Sequence, residues 1–320
     1  MPLAGLACCA AALDVLTRWR TRCTQREYPA TGTFVAVDGT RVHVVERGHG
    51  RPVVLIHGLR GSTRDFEHSI MPALARRCRV IAVDRPGYGY SERLAEHPGS
   101  PLAQAELLHA ALAQLEIERP VLVGHSMGAA VVMAYVARFP EDVAAFVTLC
   151  GHTLPFDGGP GSLAKLVARP VVGKLLLRLG VTPLGLVVAP TLLRHVFAPQ
   201  RPPRDYARAA TLLALRPASF RASSDDRRCM DDGLRAIHRE FGRFRPPGVL
   251  LAGRADRVIS PNESLSLHRI VPRSEMSVLP GVGHMPHFAA PQAVLEAIDR
   301  AWDLADEAAR EGAPTSRAAR

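Results

Sequence analysis

Residues Val121 to Tyr135 constrain this chain more than any other stretch, because hydrophobic character changes period there with no room for a connecting loop. The short apolar run Val121-Leu-Val-Gly124 reads as an interior parallel strand, and from Ser126 to Arg138 small and apolar residues continue at helical density. Gly124 and Gly128 flank Ser126 at minus two and plus two. A tight strand-to-helix turn brings backbones together, and glycine removes the Cβ that would clash. Ser126 Oγ then projects from the sheet at a helix N-terminus, where free N–H groups and the dipole favour developing negative charge. Serine also favours helix N-caps, but a glycine on both sides points to a nucleophile.

The Gly-X-Ser-X-Gly pattern is short, so its context matters. Val53-Val-Leu-Ile-His57-Gly58-Leu59-Arg60-Gly61 is a second buried strand, ending in a glycine-bracketed loop whose backbone N–H groups can face an oxyanion. Val249-Leu-Leu-Ala-Gly253-Arg-Ala-Asp256 ends a third apolar strand in a carboxylate. Gly281-Val-Gly283-His284-Met285-Pro286-His287 places a histidine in the loop after a fourth. Asp84-Arg-Pro86-Gly87-Tyr-Gly89-Tyr-Ser91 follows the strand Val80–Val83 as an acidic, glycine-rich loop.

These motifs, in the order Ser, Asp, His, resemble those of the α/β-hydrolase superfamily, specifically its lidded serine hydrolases of the esterase and lipase type. The resemblance covers roughly residues 33 to 305 and is loose in the middle third. It implies an α/β fold, with a mostly parallel central sheet, helices on both faces and an inserted helical lid. It also implies Ser126 as nucleophile, His284 as general base and acid, and Asp256 as the group that orients the imidazole. The oxyanion donors would be the backbone N–H groups of Leu59 and Met127, with Gly58, Arg60 and His152 facing the substrate. Asp157 competes with Asp256 for the acid role, and His287 competes with His284 for the base. His57 and His125 read as structural residues bonded to backbone. Arg60 reads either as a contact for an acidic substrate group or as a solvent-facing loop arginine.

Thr33–Val37 and Arg41–Val45 flank an Asp38-Gly39 turn and form a hairpin at the antiparallel edge of the sheet. Residues 64 to 77 read as one helix, and residues 102 to 118 as the helix before the nucleophile strand. The core comprises residues 29–156 and 248–306, and the lid residues 157–247, where Pro160, Pro170, Pro183, Pro190, Pro199, Pro202 and Pro203 punctuate short helical runs such as Leu163–Ala168 and Leu184–Val188. Leu175-Leu-Leu177 and Val187-Val188 suggest an apolar acyl pocket, or internal packing of the lid. A final helix spans about residues 291–306, and residues 307–320 read as a disordered tail.

The net charge is +10, yet 38 of the 40 basic residues are arginine, and no aromatic-interleaved basic motif accompanies them. Nucleic acid is therefore not expected as a partner. The lid carries 14 Arg and 2 Lys against 7 acidic residues, so it holds nearly all the excess. Six cysteines, at 8, 9, 23, 78, 150 and 229, form no C-x-x-C pair and no regular framework, which indicates neither a zinc site nor a disulfide scaffold and suits a reducing, cytoplasmic setting. Residues 1–28 join a weakly apolar run to Arg18, Arg20, Arg22 and Arg26. That segment is either an interfacial helix giving peripheral membrane association or a helix packed on the protein's own surface.

The expected activity is hydrolysis of a small-molecule or lipid-like carboxylic ester through an acyl-enzyme, with no metal or organic cofactor. Carbon–carbon bond hydrolases, thioesterases and cofactor-free peroxidases share the fold and triad. A catalytically inactive binding protein is the non-enzymatic alternative.

Overall fold

The computed structural model describes residues 2–93, 99–156, 158–159 and 161–312. A long helix, α1 (Pro2–Glu27), precedes the hairpin β1 (Thr33–Val37) and β2 (Thr40–Arg47). Asp38 (φ 46°) and Gly39 (φ 75°) both take left-handed backbone at its turn, whose twist matches that of the flanking strands. There follow β3 (Pro52–Ile56), α2 (Arg64–Glu67), α3 (Met71–Leu74), β4 (Arg79–Val83), α4 (Pro101–Gln114), β5 (Val121–His125), α5 (Met127–Arg138) and β6 (Ala145–Leu149). A helical insert then intervenes, made of α6 (Ser162–Val167), α7 (Pro170–Leu175), α8 (Val181–Phe197), α9 (Arg204–Ala214) and α10 (Pro217–Ile237). The chain closes with β7 (Gly248–Gly253), α11 (Pro261–Ile270), β8 (Ser274–Leu279), α12 (Pro286–Ala289) and α13 (Pro291–Gly312).

The eight strands form one sheet in the order β1-β2-β4-β3-β5-β6-β7-β8. Only the β1–β2 and β2–β4 pairings are antiparallel. Alternate side chains of each interior strand leave by opposite faces. Val54, Ile56 and Leu122 join one hydrophobic cluster with α4 and α5, while Val53, Leu55, Val121 and Val123 join a second with Val294, Ile298 and Trp302 of α13. With both faces covered, the strands must be apolar throughout, and β5 is buried at every position.

Four expectations need revision. Residues 64 to 77 form two short helices, because Pro72 cannot donate back into a continuing helix and instead sits in the first turn of α3. In the insert, Pro183 and Pro190 do not interrupt the chain: residues 170–197 run as one helical rod through a π-helical turn at Leu176–Gly180. Pro183 follows closely on that π-helical turn, and Pro190 sits inside α8. The last helix continues six residues beyond 306, held by Arg300–Glu307 (2.9 Å) and Arg273–Glu311 (2.9 Å). Only residues 313–320 of the expected tail lie outside the described residues.

Helix α1 packs along α8, α9 and the π-helical turn, placing the N-terminal segment against the insert. Cysteines 8, 9, 23, 78, 150 and 229 are all free.

Candidate active site

β5 ends in a turn that only this sequence pattern permits. Ser126 takes φ 52° and ψ −122°, a region that non-glycine residues rarely enter. Its N–H donates to Leu149 O (3.0 Å) and its carbonyl accepts from Ala129 N (3.0 Å) and His152 N (3.0 Å), so β6 and α5 hold the strained residue from both sides. The two glycines serve different neighbours. A Cβ on Gly124 would lie 2.6 Å from Ala129 Cα, and one on Gly128 would lie 2.3 Å from Ile56 O at the end of β3. Gly58 is equally constrained, since a Cβ there would lie 2.9 Å from Ser126 Cβ. The loop after β3 therefore runs directly beside the serine.

Ser126 Oγ donates to His284 Nε2 (3.0 Å), and His284 Nδ1–H donates to Asp256 Oδ2 (2.8 Å). The other carboxylate oxygen of Asp256 accepts from the amides of Val258 (2.7 Å) and Ile259 (3.0 Å), which fixes the carboxylate plane. All three residues come from loops at the carboxyl ends of β5, β7 and β8, where ligands bind in parallel sheets. Asp157, the alternative acid, lies outside the described residues. The arrangement can pass a proton from the hydroxyl to the imidazole while a buried carboxylate stabilises the imidazolium.

Neither ring nitrogen of His287 has a hydrogen-bond partner among the described residues, and Ser126 bonds to His284 instead. His287 is fully buried among Phe66, His125 and Phe288, and burial lowers its pKa to about 3. His125 donates through Nε2 to the carbonyl of His284 (2.8 Å), fixing the histidine loop, and burial also holds it well below its ordinary pKa. His57 donates from Nδ1 to Gly58 O (2.8 Å) and accepts from Arg85 N (2.9 Å). Burial, helped by Arg85, lowers its pKa to about 4. These two histidines serve as structural bridges between loops.

Leu59 and Met127 flank Ser126 from the β3 loop and from the first turn of α5. Among the described residues, neither amide donates to a protein acceptor. Arg60 is not a solvent-facing arginine. Its φ is 59°, its guanidinium lies over the Phe220 ring (4.7 Å), and its buried Nε has no partner. Burial lowers its pKa, partly offset by Tyr88, and Arg227 adds to the lowering. His152 lies between Asp231 Oδ1 of α10 (3.3 Å) and Glu263 Oε1 of α11 (3.4 Å). Its burial opposes protonation, but the two carboxylates prevail and raise its pKa.

No local residue pattern signals the polar network beneath this loop. Arg85 is fully buried and donates to Asp226 Oδ2 (2.7 Å), Gln104 Oε1 (2.9 Å) and Gly58 O (3.1 Å). Asp226 of α10 also accepts from Arg93 (2.6 Å) and Tyr88 OH (2.9 Å). One carboxylate of the insert thus closes over two guanidinium groups of the core, and the same Arg85 steadies the carbonyl next to Leu59. A paired signal was available only in hindsight, because Arg85 and Asp226 are 141 residues apart. Asp84, from the same motif, accepts from His43 Nδ1 (2.7 Å), Thr63 N (2.8 Å) and Tyr90 N (2.8 Å). Burial opposes its charge, yet these bonds hold its carboxyl below the usual carboxylate range.

The sheet order, the strained serine between strand and helix, and the loop origins of the three bonded residues define an α/β hydrolase. A model of the alpha/beta hydrolase fold family matches residues 51–291, and the chain belongs to that family. It is similar to 2-hydroxy-6-oxo-2,4-heptadienoate hydrolase of Pseudomonas putida strain F1, with 29% identity over 257 residues, 79% of this chain and 89% of the relative. It is 28% identical over 264 residues to 2-hydroxymuconate semialdehyde hydrolase of Pseudomonas sp. strain CF600, covering 80% of this chain and 88% of the relative. Among solved structures, a thermophilic esterase of Thermogutta terrifontis superposes with a TM-score of 0.68 at 22% identity, over 85% of this chain and 97% of the esterase.

Proposed function

We propose that this α/β hydrolase is a serine hydrolase that cleaves carboxylic esters by two-step acyl transfer to water. The observation that carries the proposal is the unbroken hydrogen-bonded chain Ser126–His284–Asp256. His284 Nε2 takes the Ser126 proton as Oγ attacks the ester carbonyl, and Asp256 stabilises the imidazolium through Nδ1. The amides of Leu59 and Met127 receive the developing oxyanion. One such donor is worth roughly two to three orders of magnitude in rate. His284 then protonates the leaving alcohol, and a water deprotonated by the same nitrogen attacks the acyl-enzyme. The Oγ–acyl bond then breaks and Ser126 Oγ takes that proton back from His284, which releases the carboxylic acid and restores the starting state.

In this scheme Gly58 lets the carbonyl approach Ser126, His152 forms a wall on the α10 side, and the insert acts as a lid that excludes water. The runs that suggested an apolar acyl pocket mostly face elsewhere. Val187 and Leu175 are 76% and 53% exposed, and Leu177 packs inside the insert's own small core. Acyl length is thus to be read from experiment. A series of p-nitrophenyl esters of increasing acyl length, run on wild type and Ser126→Ala, tests the proposal. Hydrolysis that survives the substitution refutes it.

A second reading has support in the two Pseudomonas relatives. Their named substrates, an oxo-dienoate and a muconate semialdehyde, contain no ester, so hydrolysis there breaks a carbon–carbon bond. The same triad type can serve that reaction, and Arg60 suits a carboxylate on such a substrate. Turnover of a dienoate ketone with no turnover of any ester would select this reading.

A further inference from the structure

The outward side of the insert does not look like a face meant for water. Along α8, Leu184 (63% exposed), Val187 (76%), Val188 (40%) and Leu192 (48%) recur at i, i+3, i+4 and i+8, so they form one stripe. Val171, Val172 and Leu175 extend apolar exposure along α7, and Val15 and Trp19 add to it on α1. The opposite side of α8 is apolar too. Val181, Leu186 and Ala189 pack into a cluster with Val167, Leu215 and Phe220, while Leu193 and Val196 pack with Tyr206 and Met285. A helix apolar on all sides is ordinarily enclosed by protein or by lipid. This one is enclosed on one side only.

Charge identifies what suits the other side. From residue 158 to residue 204 there is no acidic residue, whereas Lys165, Arg169, Lys174, Arg178, Arg194, Arg201 and Arg204 are basic. Along the rod, Lys174 of α7, Arg178 of the π-helical turn and Arg194 of α8 are exposed. Exposed aliphatic side chains beside basic residues, on a rod that carries no carboxylate, are what an anionic lipid surface attracts, and the neighbouring Trp19 of α1 adds to them although Asp14, paired with Arg18, lies on the same helix. A second copy of the chain is poorly suited, since a two-fold contact would set this cationic segment against itself. The rod is about long enough to cross a bilayer at 1.5 Å per residue. It cannot do so here, because Val167 just before it and Phe197 at its end are both buried in the same fold.

We propose that the α7–α8 rod is a docking surface for anionic lipid, lying flat in the headgroup region with the Leu184–Leu192 stripe inward. This goes beyond ester hydrolysis and does not depend on it. It also moves the membrane-facing role from the N-terminal segment alone to the insert, with α1 at its side.

Co-sedimentation of the full chain with vesicles of phosphatidylcholine alone, and of equal parts phosphatidylcholine and phosphatidylglycerol, tests the proposal. The protein should pellet with the phosphatidylglycerol vesicles, far less with phosphatidylcholine, and less as salt is raised. The double variant Leu184→Glu/Val187→Glu should bind at least about tenfold more weakly, since each change removes an apolar contact and adds a repelled charge. Its thermal midpoint and its turnover of a soluble short-chain ester should match the wild type, which separates this failure from failure of the site. Three results overturn the proposal: wild type that stays in the supernatant with both vesicles, a double variant that binds as tightly as wild type, or a wild-type dimer in solution that the double variant breaks without any vesicle binding.

Discussion

Ser126 is held in strain by its neighbours, and that strain has a measurable cost. Its φ of 52° is maintained by bonds from Ser126 N to Leu149 O and from Ala129 N and His152 N to Ser126 O. Relief of the strain without loss of those bonds should therefore stabilise the fold. We expect Ser126→Gly to raise the unfolding free energy by about 1 kcal/mol, the strain released less the entropy glycine returns to the unfolded chain. The same variant should lose hydrolysis. A Ser126→Gly protein less stable than wild type in urea would show that the conformation is not strained. At this scale the sequence was informative wherever a residue type is uniquely required: Gly124, Gly128 and Gly58 each stand where a Cβ would meet other atoms at 2.9 Å or less. It was less informative for Arg60, because a loop arginine carries no signal of whether its stem turns to water or to a ring such as Phe220.

The contact between α5 and the end of β3 sets the position of the serine relative to the loop that carries Leu59. Gly128 is the point of closest approach, with Ile56 O and His57 O 2.3 and 2.6 Å from where its Cβ would be. Both obstacles are backbone and cannot turn aside. Gly128→Ala should therefore destabilise the protein by about 2–3 kcal/mol and reduce turnover by moving α5 away from β3. A wild-type melting curve for this variant would contradict the packing described. The strands and their sheet faces were legible in the sequence because interior parallel strands are apolar through their buried middle, as Val53–Ile56 of β3, Val80–Val83 of β4 and Val121–Val123 of β5 are. The insert was legible only as helical. Proline normally ends a helix, but Pro183 follows a π-helical turn and Pro190 sits inside α8, in a rod that packing supports along one side. The missing first-order signal is tertiary, and local sequence does not contain it.

Across the whole molecule, buried histidines of the core make the fold sensitive to acid, while a buried carboxyl facing the insert partly offsets them. His57 and His287 have pKa values lowered to about 4 and about 3, and His125 is lowered well below its ordinary value, all chiefly by burial. Below pH 6.5 these histidines charge in the unfolded chain before they charge in the fold, so their contribution to stability is lost as pH falls. Asp65 acts in the opposite sense. It is buried against Tyr206 of the insert, burial raises its pKa to about 7, and its contribution is lost as pH rises through that value. Between about pH 6.5 and 4 three histidines outweigh one aspartate, so unfolding takes up a net of about two protons. Stability should then fall by roughly 2–3 kcal/mol per pH unit on acidification. Urea unfolding at pH 6.5 and pH 5 measures this, and equal or greater stability at pH 5 would contradict it. Neither Asp65 nor Asp226 could be assigned from sequence, since each takes its meaning from a partner more than 130 residues away.

Ester hydrolysis as proposed above requires Ser126 to be a nucleophile activated by His284. Intact-mass and peptide mass spectrometry after treatment with a fluorophosphonate tests this most directly. We predict a single adduct on Ser126 in the wild type, none in Ser126→Ala, and much slower labelling in His284→Ala. A wild-type protein left unmodified, or modified at another residue with Ser126 untouched, would contradict the account.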